Sequence, residues 1–120
     1  MKKEINIEVG NLDQSARRFI EAWHSGERGE KDQSQELLTF EDLETLLRVL
    51  TPKRWALLRF LRRSGPMSIR ALTKSLTRDY KNVYTEVKEL EGLGMISKME
   101  DGRVRVPWDT VVAEFNLEVA

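Results

Sequence analysis

The sequence contains no cysteine and only one histidine, His24, among its 120 residues. Without cysteine there are no disulfides and no thiol chemistry, and one histidine with scattered carboxylates leaves a transition metal few ligands. No apolar run approaches the roughly 18 residues that a membrane span needs, and the first ten residues lack the apolar core of a signal peptide. These absences predict a cytoplasmic protein with no metal, no cofactor and no membrane partner.

The sequence also lacks the residue patterns of the common enzyme classes. A lone histidine completes a Ser-His-Asp site only with an exposed nucleophile and an orienting acid, which nothing here identifies, and no glycine-rich phosphate loop is present. The densest acidic group, Glu41, Asp42 and Glu44, lies at a predicted helix N-terminus, where the helix dipole favours acidic residues. We therefore predict no catalytic residue.

The net charge is zero, but the charges are unevenly distributed along the chain. Residues 52–106 contain 13 Lys+Arg and 6 Asp+Glu, a net charge of +7, whereas the flanking segments contain 7 basic and 14 acidic residues. A basic segment inside an electroneutral chain indicates a polyanionic partner. DNA, RNA and acidic proteins all bind basic patches, so the elements predicted for this segment must distinguish between these partners.

Apolar periodicity predicts a strand, a helix and a loop in the first part of the chain. Apolar and polar residues alternate over residues 5–9, as in a half-buried strand. A helix that Asn11 or Asp13 can cap is predicted to follow and to end near Ser25, with one apolar face. The polar stretch 27–36 is predicted to be an exposed loop and a candidate for disorder.

Two helices are predicted after a short apolar strand at 37–40. Thr39 with Asp42 three residues later resembles a capping box for the first of them. The apolar stripe of this helix is formed by Leu43, Leu46, Leu47 and Leu50. Thr51 is a suitable N-cap and Pro52 a suitable first residue for the second helix, which ends at a Ser-Gly-Pro sequence.

The next segment has the layout of a helix-turn-helix. Ser68 is predicted to cap a short helix, and a turn of about three residues leads to another helix from about Asp79 to Glu91. The predicted inward residues of the two helices are Ile69, Leu72, Leu76, Val83, Val87 and Leu90. The second helix is therefore the predicted recognition helix.

A basic hairpin is predicted after these helices. Asp101-Gly102 between two extended runs indicates a type I′ turn, which requires positive φ at both central residues. Folding there pairs Ser97 with Val106, Lys98 with Arg105, Met99 with Val104 and Glu100 with Arg103. The predicted apolar face comprises Met95, Met99, Val104, Val106 and Trp108, and the predicted basic face comprises Lys98, Arg103 and Arg105.

The stretch from Ser68 to Val106 resembles the winged helix-turn-helix of MarR-like bacterial and archaeal transcriptional regulators. Their recognition helix typically ends in a leucine-glutamate pair and a leucine-glycine turn, which Leu90, Glu91, Leu93 and Gly94 match. The wider pattern, with LTPKRWALLRFL ahead of it and DYKNVY at the start of the recognition helix, is similar to a narrower group of predicted regulators. Some of these are antitoxins paired with a small toxin, as in the TumE-TumA type.

The resemblance implies an α+β fold with three segments. Residues 1–50 are expected to be an extension for dimerisation or partner binding, 51–108 the winged helix-turn-helix DNA-binding domain, and 109–120 a C-terminal strand. Alternating apolar residues at 111–119 favour that strand, with a helix as the alternative. If the three predicted strands form a sheet, its edges can build a homodimer or accept a partner strand.

The resemblance also implies which residues contact DNA. Lys81, Asn82, Tyr84 and Thr85 are expected in the major groove, where Asn reads adenine, Lys donates to guanine or phosphate, and Tyr and Thr reach phosphate or a thymine methyl. The other expected contacts are Ser68, Arg70, Arg78, Lys88, Lys98, Arg103 and Arg105. Asp79 and Glu86 would repel phosphate unless they pair with Arg78 or read cytosine.

These residues also have structural interpretations. Tyr84 can pack on the basic hairpin, which is the wing of the winged helix-turn-helix. Arg103 and Arg105 can discourage aggregation through the exposed edge of a strand. The three tryptophans fit core or interface anchors better than base-stacking platforms. The functional prediction is a dimeric, sequence-specific DNA-binding regulator, a repressor or an autoregulating antitoxin with a toxin partner. The alternative is a protein-interaction module with little affinity for DNA.

Overall fold

The computed structural model describes residues 2–10 and 35–117, which form an α+β structure. The chain divides into two units, one comprising Met1–Val49 and Trp108–Ala120 and the other Leu50–Pro107. The described elements are β1 (Glu4–Val9), β2 (Gln35–Phe40), α1 (Leu43–Val49), α2 (Pro52–Ser64), α3 (Ile69–Leu76), α4 (Tyr80–Gly92), β3 (Ser97–Lys98), β4 (Val104–Arg105) and β5 (Thr110–Phe115). The helix predicted near residues 11–25 lies outside the described residues.

The first unit contains a three-stranded sheet with the order β2-β1-β5. Both neighbours run parallel to β1, and Ile7 lies in register with Leu38 of β2 and with Ala113 of β5. The start of β5 is fixed to the start of β1, because the Asp109 amide donates to the Lys3 carbonyl and the Lys3 amide donates to the Asp109 carboxylate, both at 2.8 Å. The predicted strands at 5–9, 37–40 and the C-terminus are confirmed, although β2 begins two residues inside the predicted loop.

One face of this sheet is apolar except for Glu36, which is exposed and lies in register with Ile5. Residues in register on parallel strands point to the same face, so the face shared by Ile5, Ile7 and Val9 also carries Leu38, Phe40, Val111, Ala113 and Phe115. The β1 side chains on this face are buried, whereas Val111 and Phe115 of β5 are exposed. The β5 edge of the sheet therefore presents apolar side chains to solvent.

The helix α1 begins at Leu43, three residues later than a helix capped by Thr39 would. Thr39 belongs to β2, and it is the Asp42 carboxylate that accepts a hydrogen bond of 2.8 Å from the Thr45 amide. Hydrogen bonds from Thr45 hold the pKa of Asp42 below its usual value. The predicted capping box is thus wrong, and the predicted continuous stripe is interrupted because Leu47 is 61% exposed while Leu46 is buried.

In the second unit, the predicted cap of α2 is confirmed. The Thr51 side chain accepts a hydrogen bond from the Arg54 amide at 3.3 Å, and Pro52 occupies the first turn, where its missing N–H is no loss. Leu57, Leu58 and Leu61 of this helix are buried. Because they occupy positions i, i+1 and i+4, they form one buried stripe along the helix.

The two helices α3 and α4 are joined by a turn that contains an unusual backbone conformation. Ser68 and Asp79 cap the helices by accepting hydrogen bonds from the Ala71 and Asn82 amides, at 3.1 Å each. Between them Thr77 has φ 53 and ψ 51, the left-handed region that β-branched residues avoid. This conformation lets the Thr77 amide donate to the Lys74 carbonyl and reverse the chain within three residues.

Replacing Thr77 with glycine is expected to stabilise the second unit by about 0.5–1 kcal/mol. Glycine relieves the left-handed strain, which is about 1–2 kcal/mol for an L-residue. This gain exceeds the entropic cost of ordering glycine on folding, which is about 0.5–1 kcal/mol. The free energy of unfolding from urea titration measures the change. Ala56→Gly is the matched control, because Ala56 is exposed within α2 and glycine there should destabilise by about 1 kcal/mol. Destabilisation by both variants would contradict the argument.

The hairpin is present, but its predicted register and turn type are wrong. Lys98 pairs with Val104 and Ser97 pairs with Arg105, a shift of one residue from the predicted pairs. Gly102 has φ 90, whereas Asp101 does not have the positive φ that a type I′ turn requires. Instead the Gly102 amide donates to the Met99 carbonyl and the Met99 amide donates to the Arg103 carbonyl. This is a three-residue loop closed by a glycine bulge.

The core of the second unit joins the helices to the hairpin. Its fully buried side chains include Leu57, Leu61, Leu72, Val83, Val87, Leu90, Met95 and Val104. Met67, which lies in the segment between α2 and α3, pairs with Val104 through two amide hydrogen bonds of 3.1 and 2.9 Å. An isolated antiparallel β-bridge therefore joins Met67 to β4 of the hairpin.

Candidate nucleic-acid interface

The helix α4 presents one polar face to solvent. Its opposite face is anchored by the buried residues Val83, Val87 and Leu90, which recur at helical spacing. The exposed residues include Lys81, Asn82, Tyr84 and Thr85, the four side chains expected in the major groove. The Thr85 hydroxyl donates to the Lys81 carbonyl at 3.0 Å. Neither the Lys81 ammonium group nor the Asn82 side-chain amide forms an ion pair or hydrogen bond among the described residues. Both are therefore available to a ligand.

The two acidic residues that interrupt this face are already engaged. The Asp79 carboxylate caps the helix, and Glu86 accepts two hydrogen bonds from the Arg78 guanidinium, at 2.9 and 3.0 Å. The hydrogen bonds with Glu86 raise the pKa of Arg78. Because both side chains are less than one-fifth exposed, this bidentate pair fixes the turn to the helix, and Arg78 is less available to DNA than its neighbours.

An aromatic column runs along one edge of the same face. The ring centroids of Tyr80 and Tyr84 are 6.0 Å apart with an interplanar angle of 29°. Arg70 of α3 lies over the Tyr80 ring at 5.4 Å, and Lys88 lies over the Tyr84 ring at 5.5 Å. We call these four residues the tyrosine column. It brings together three of the predicted DNA contacts, Arg70, Tyr84 and Lys88. The ring partners of Tyr84, which are Tyr80 and Lys88, both lie on its own helix.

Tyr80 is a candidate that the sequence prediction missed. It is the first residue of α4 and follows the capping Asp79, so its position suggested a helix start rather than a binding surface. Its spacing of four residues from Tyr84, and of eight from Lys88, was the available signal, because such residues lie on one helix face.

The hairpin carries three exposed cations, Lys98, Arg103 and Arg105. The Arg103 side chain donates to the Asp101 carboxylate at 2.7 Å, which reduces the charge that it offers to a polyanion. Hydrogen bonds from the Arg103 amide and side chain also lower the pKa of Asp101. Lys98 and Arg105 form no ion pair among the described residues. They are therefore the hairpin cations best placed to bind phosphate.

Two contacts with α2 position these surfaces. Arg54 forms an ion pair with Glu89 of α4, and Arg62 donates to the Val106 carbonyl at 3.2 Å, just beyond β4. Ser68, also a predicted contact, uses its hydroxyl oxygen to cap α3 and keeps its exposed position.

The described residues contain no cluster of three or more metal-ligating side chains. Within the same ranges, no helix is long and apolar enough to cross a membrane.

Comparison with known proteins identifies a family for this chain. The family model HVO_A0114 matches residues 49–113, from the end of α1 into β5. The match covers more than half of the chain, and the chain therefore belongs to the HVO_A0114 family. That description states no activity, ligand or partner. No curated protein and no solved structure matches the chain.

Proposed function

We propose that this protein is a winged helix-turn-helix regulator that binds duplex DNA in a sequence-specific manner. The observation that carries the proposal is the exposed face of α4, where Lys81, Asn82, Tyr84 and Thr85 are presented by a helix that follows α3 after a tight turn. A helix of this kind in the major groove places donors and acceptors against base edges. In this proposal the hairpin is the wing.

The hairpin supports the same proposal in a different way. Its strands β3 and β4 follow α4 directly and are joined to Met67 ahead of α3, so they flank the helix-turn-helix. Lys98 and Arg105 are exposed cations without an ion pair among the described residues, and such cations bind phosphates without reading sequence. In this proposal α4 contacts the base edges, and the hairpin binds the phosphates of the DNA backbone.

The proposal includes a homodimer that represses its own promoter. Winged-helix regulators usually read two half-sites, and β5 has only β1 as a neighbour in the described sheet, so its second edge can pair with another copy. In the antitoxin version of this proposal, the operator lies upstream of the protein's own gene and a small toxin encoded next to it is the protein partner.

The test is binding of the full chain to a duplex that contains the DNA upstream of its gene, with a shuffled duplex of equal composition as control. Fluorescence anisotropy at several salt concentrations should give a log K against log salt slope of several units, because each neutralised phosphate contributes about −0.9. Tighter binding to the upstream duplex than to the shuffled one supports sequence-specific regulation. Absence of binding, or binding that salt does not weaken, favours the protein-interaction module instead.

A further inference from the structure

The tyrosine column holds two aromatic rings in a fixed arrangement on the surface. Tyr80 and Tyr84 are 44% and 43% exposed, and each ring contacts the other ring and one cation. Lys88 is itself held by Glu91, with its Nζ 3.5 Å from a carboxylate oxygen. Side chains that are ordered before binding lose less conformational entropy when a ligand arrives. The column is thus a pre-organised surface.

The arrangement decides which part of each ring a ligand can reach. Base stacking on single-stranded nucleic acid requires an open ring face. Here Arg70 and Tyr84 lie against the Tyr80 ring, and Tyr80 and Lys88 lie against the Tyr84 ring. These contacts occupy part of the ring surfaces that base stacking would need, and neither hydroxyl has a hydrogen-bond partner among the described residues.

The edge of a tyrosine ring in the major groove can contact one apolar group of the DNA bases, the 5-methyl group of thymine. Thymine is the only base whose major-groove edge carries a methyl group, and apolar side chains recognise it there. Tyr84 lies three residues after Lys81 on the exposed face of α4, so the two side chains are neighbours and a groove that receives Lys81 also receives the column.

Resting on the proposed function, we infer that the tyrosine column reads thymine in each half-site through contact between the tyrosine edges and the 5-methyl group. Tyr84 and Tyr80 make the contact, and Arg70 and Lys88 act as positioning residues that hold the rings. The polar residue Asn82 lies on the other side of the exposed face and reads a different base. The preferred operator therefore contains thymine at positions that Asn82 does not contact.

The experiment uses duplexes that the full-length protein selects from a random-sequence library, followed by replacement of each thymine with deoxyuridine. This replacement removes the 5-methyl group and leaves the pairing edge intact. One or two positions should show affinity about fourfold weaker, since burying one methyl group contributes about 0.8 kcal/mol. In Tyr84→Ala or Tyr80→Ala the effect at one of those positions should disappear, whereas Tyr84→Phe should retain it.

The matched control is Lys98→Ala, which should weaken binding to thymine and deoxyuridine duplexes by the same factor. A selected consensus without thymine overturns the inference, as does a deoxyuridine effect of equal size in the wild type and both alanine variants. In those cases sequence-specific binding, and with it the proposed function, still stands. Failure of the wild type to enrich any duplex overturns both proposals. Thermal unfolding of each variant confirms that it is folded.

Discussion

Replacing Asn82 with alanine is expected to weaken binding to the specific operator by about 1–3 kcal/mol, the usual contribution of a good bidentate base contact. Binding to unrelated duplexes should hardly change, because those complexes depend on phosphate contacts. The Asn82 amide group is exposed on α4, while its backbone N–H already serves the Asp79 cap. Alanine at this position preserves that backbone hydrogen bond, so the helix should remain folded.

Replacing Arg105 with alanine is expected to weaken nonspecific binding, in contrast to Asn82→Ala, which weakens specific binding. Binding to all duplexes should weaken, and the salt slope should become flatter by about 0.9 for each phosphate that the variant no longer neutralises. Arg103→Ala should change the slope less, because the Arg103 side chain is already paired with Asp101. Lys53→Ala is the control for a cation outside the proposed interface, since Lys53 is exposed on α2. Relative affinities over a panel of duplexes, measured at three salt concentrations, separate the two profiles; identical profiles would show that the roles are wrongly assigned.

Local signals in the sequence were sufficient to predict most of the elements. Alternation at residues 5–9, the Thr51-Pro52 pair and the capping residues Ser68 and Asp79 each act over one turn or one strand, and the structure contains the corresponding elements. Such short-range rules depend only on neighbouring residues, so they can be applied without knowing the tertiary fold.

The predicted hairpin register and helix cap were wrong because another local conformation or another residue satisfied the backbone better at each place. Asp101-Gly102 suits a two-residue turn, but a three-residue loop lets Asp101 keep negative φ and accept hydrogen bonds from Arg103. Thr39 has the spacing of a capping residue, but its backbone belongs to β2, and Asp42 is nearer to the helix start. The sequence therefore specified the hairpin and the helix correctly, but not the register or the cap.

The candidate interface was predictable as a set of residues rather than as an arrangement. The positions of Lys81 and Asn82 on an exposed face follow from helical period alone. The bidentate pairing of Arg78 with Glu86 and the contact between Arg70 and Tyr80 depend on how α3 and α4 meet, which no local pattern encodes. For the same reason, the parallel order β2-β1-β5 could not be derived from the alternation of each strand.

The remaining prediction concerns the apolar side chains of β5, at the edge of the three-stranded sheet β2-β1-β5. Deleting residues 110–120 removes β5 and leaves β1 at the edge of the described sheet, where an uncovered apolar strand favours aggregation. We expect the full-length protein to be a dimer and the truncated protein to be a monomer or an aggregate. The unit Leu50–Pro107 should remain folded, because its buried core contains no residue of β5.

A two-half-site operator should then bind the truncated protein about 10²–10⁴-fold more weakly, since the two recognition helices are no longer linked at a separation of about 34 Å. Val111→Lys with Phe115→Lys tests the surface without deleting the strand, because both side chains are exposed. Leu47→Lys, at an exposed leucine on α1, is the matched control and should stay dimeric. Sedimentation and operator titration of all four proteins measure the outcome. A truncated protein that remains dimeric with unchanged operator affinity would show that β5 does not form the dimer, and the second copy would have to bind elsewhere.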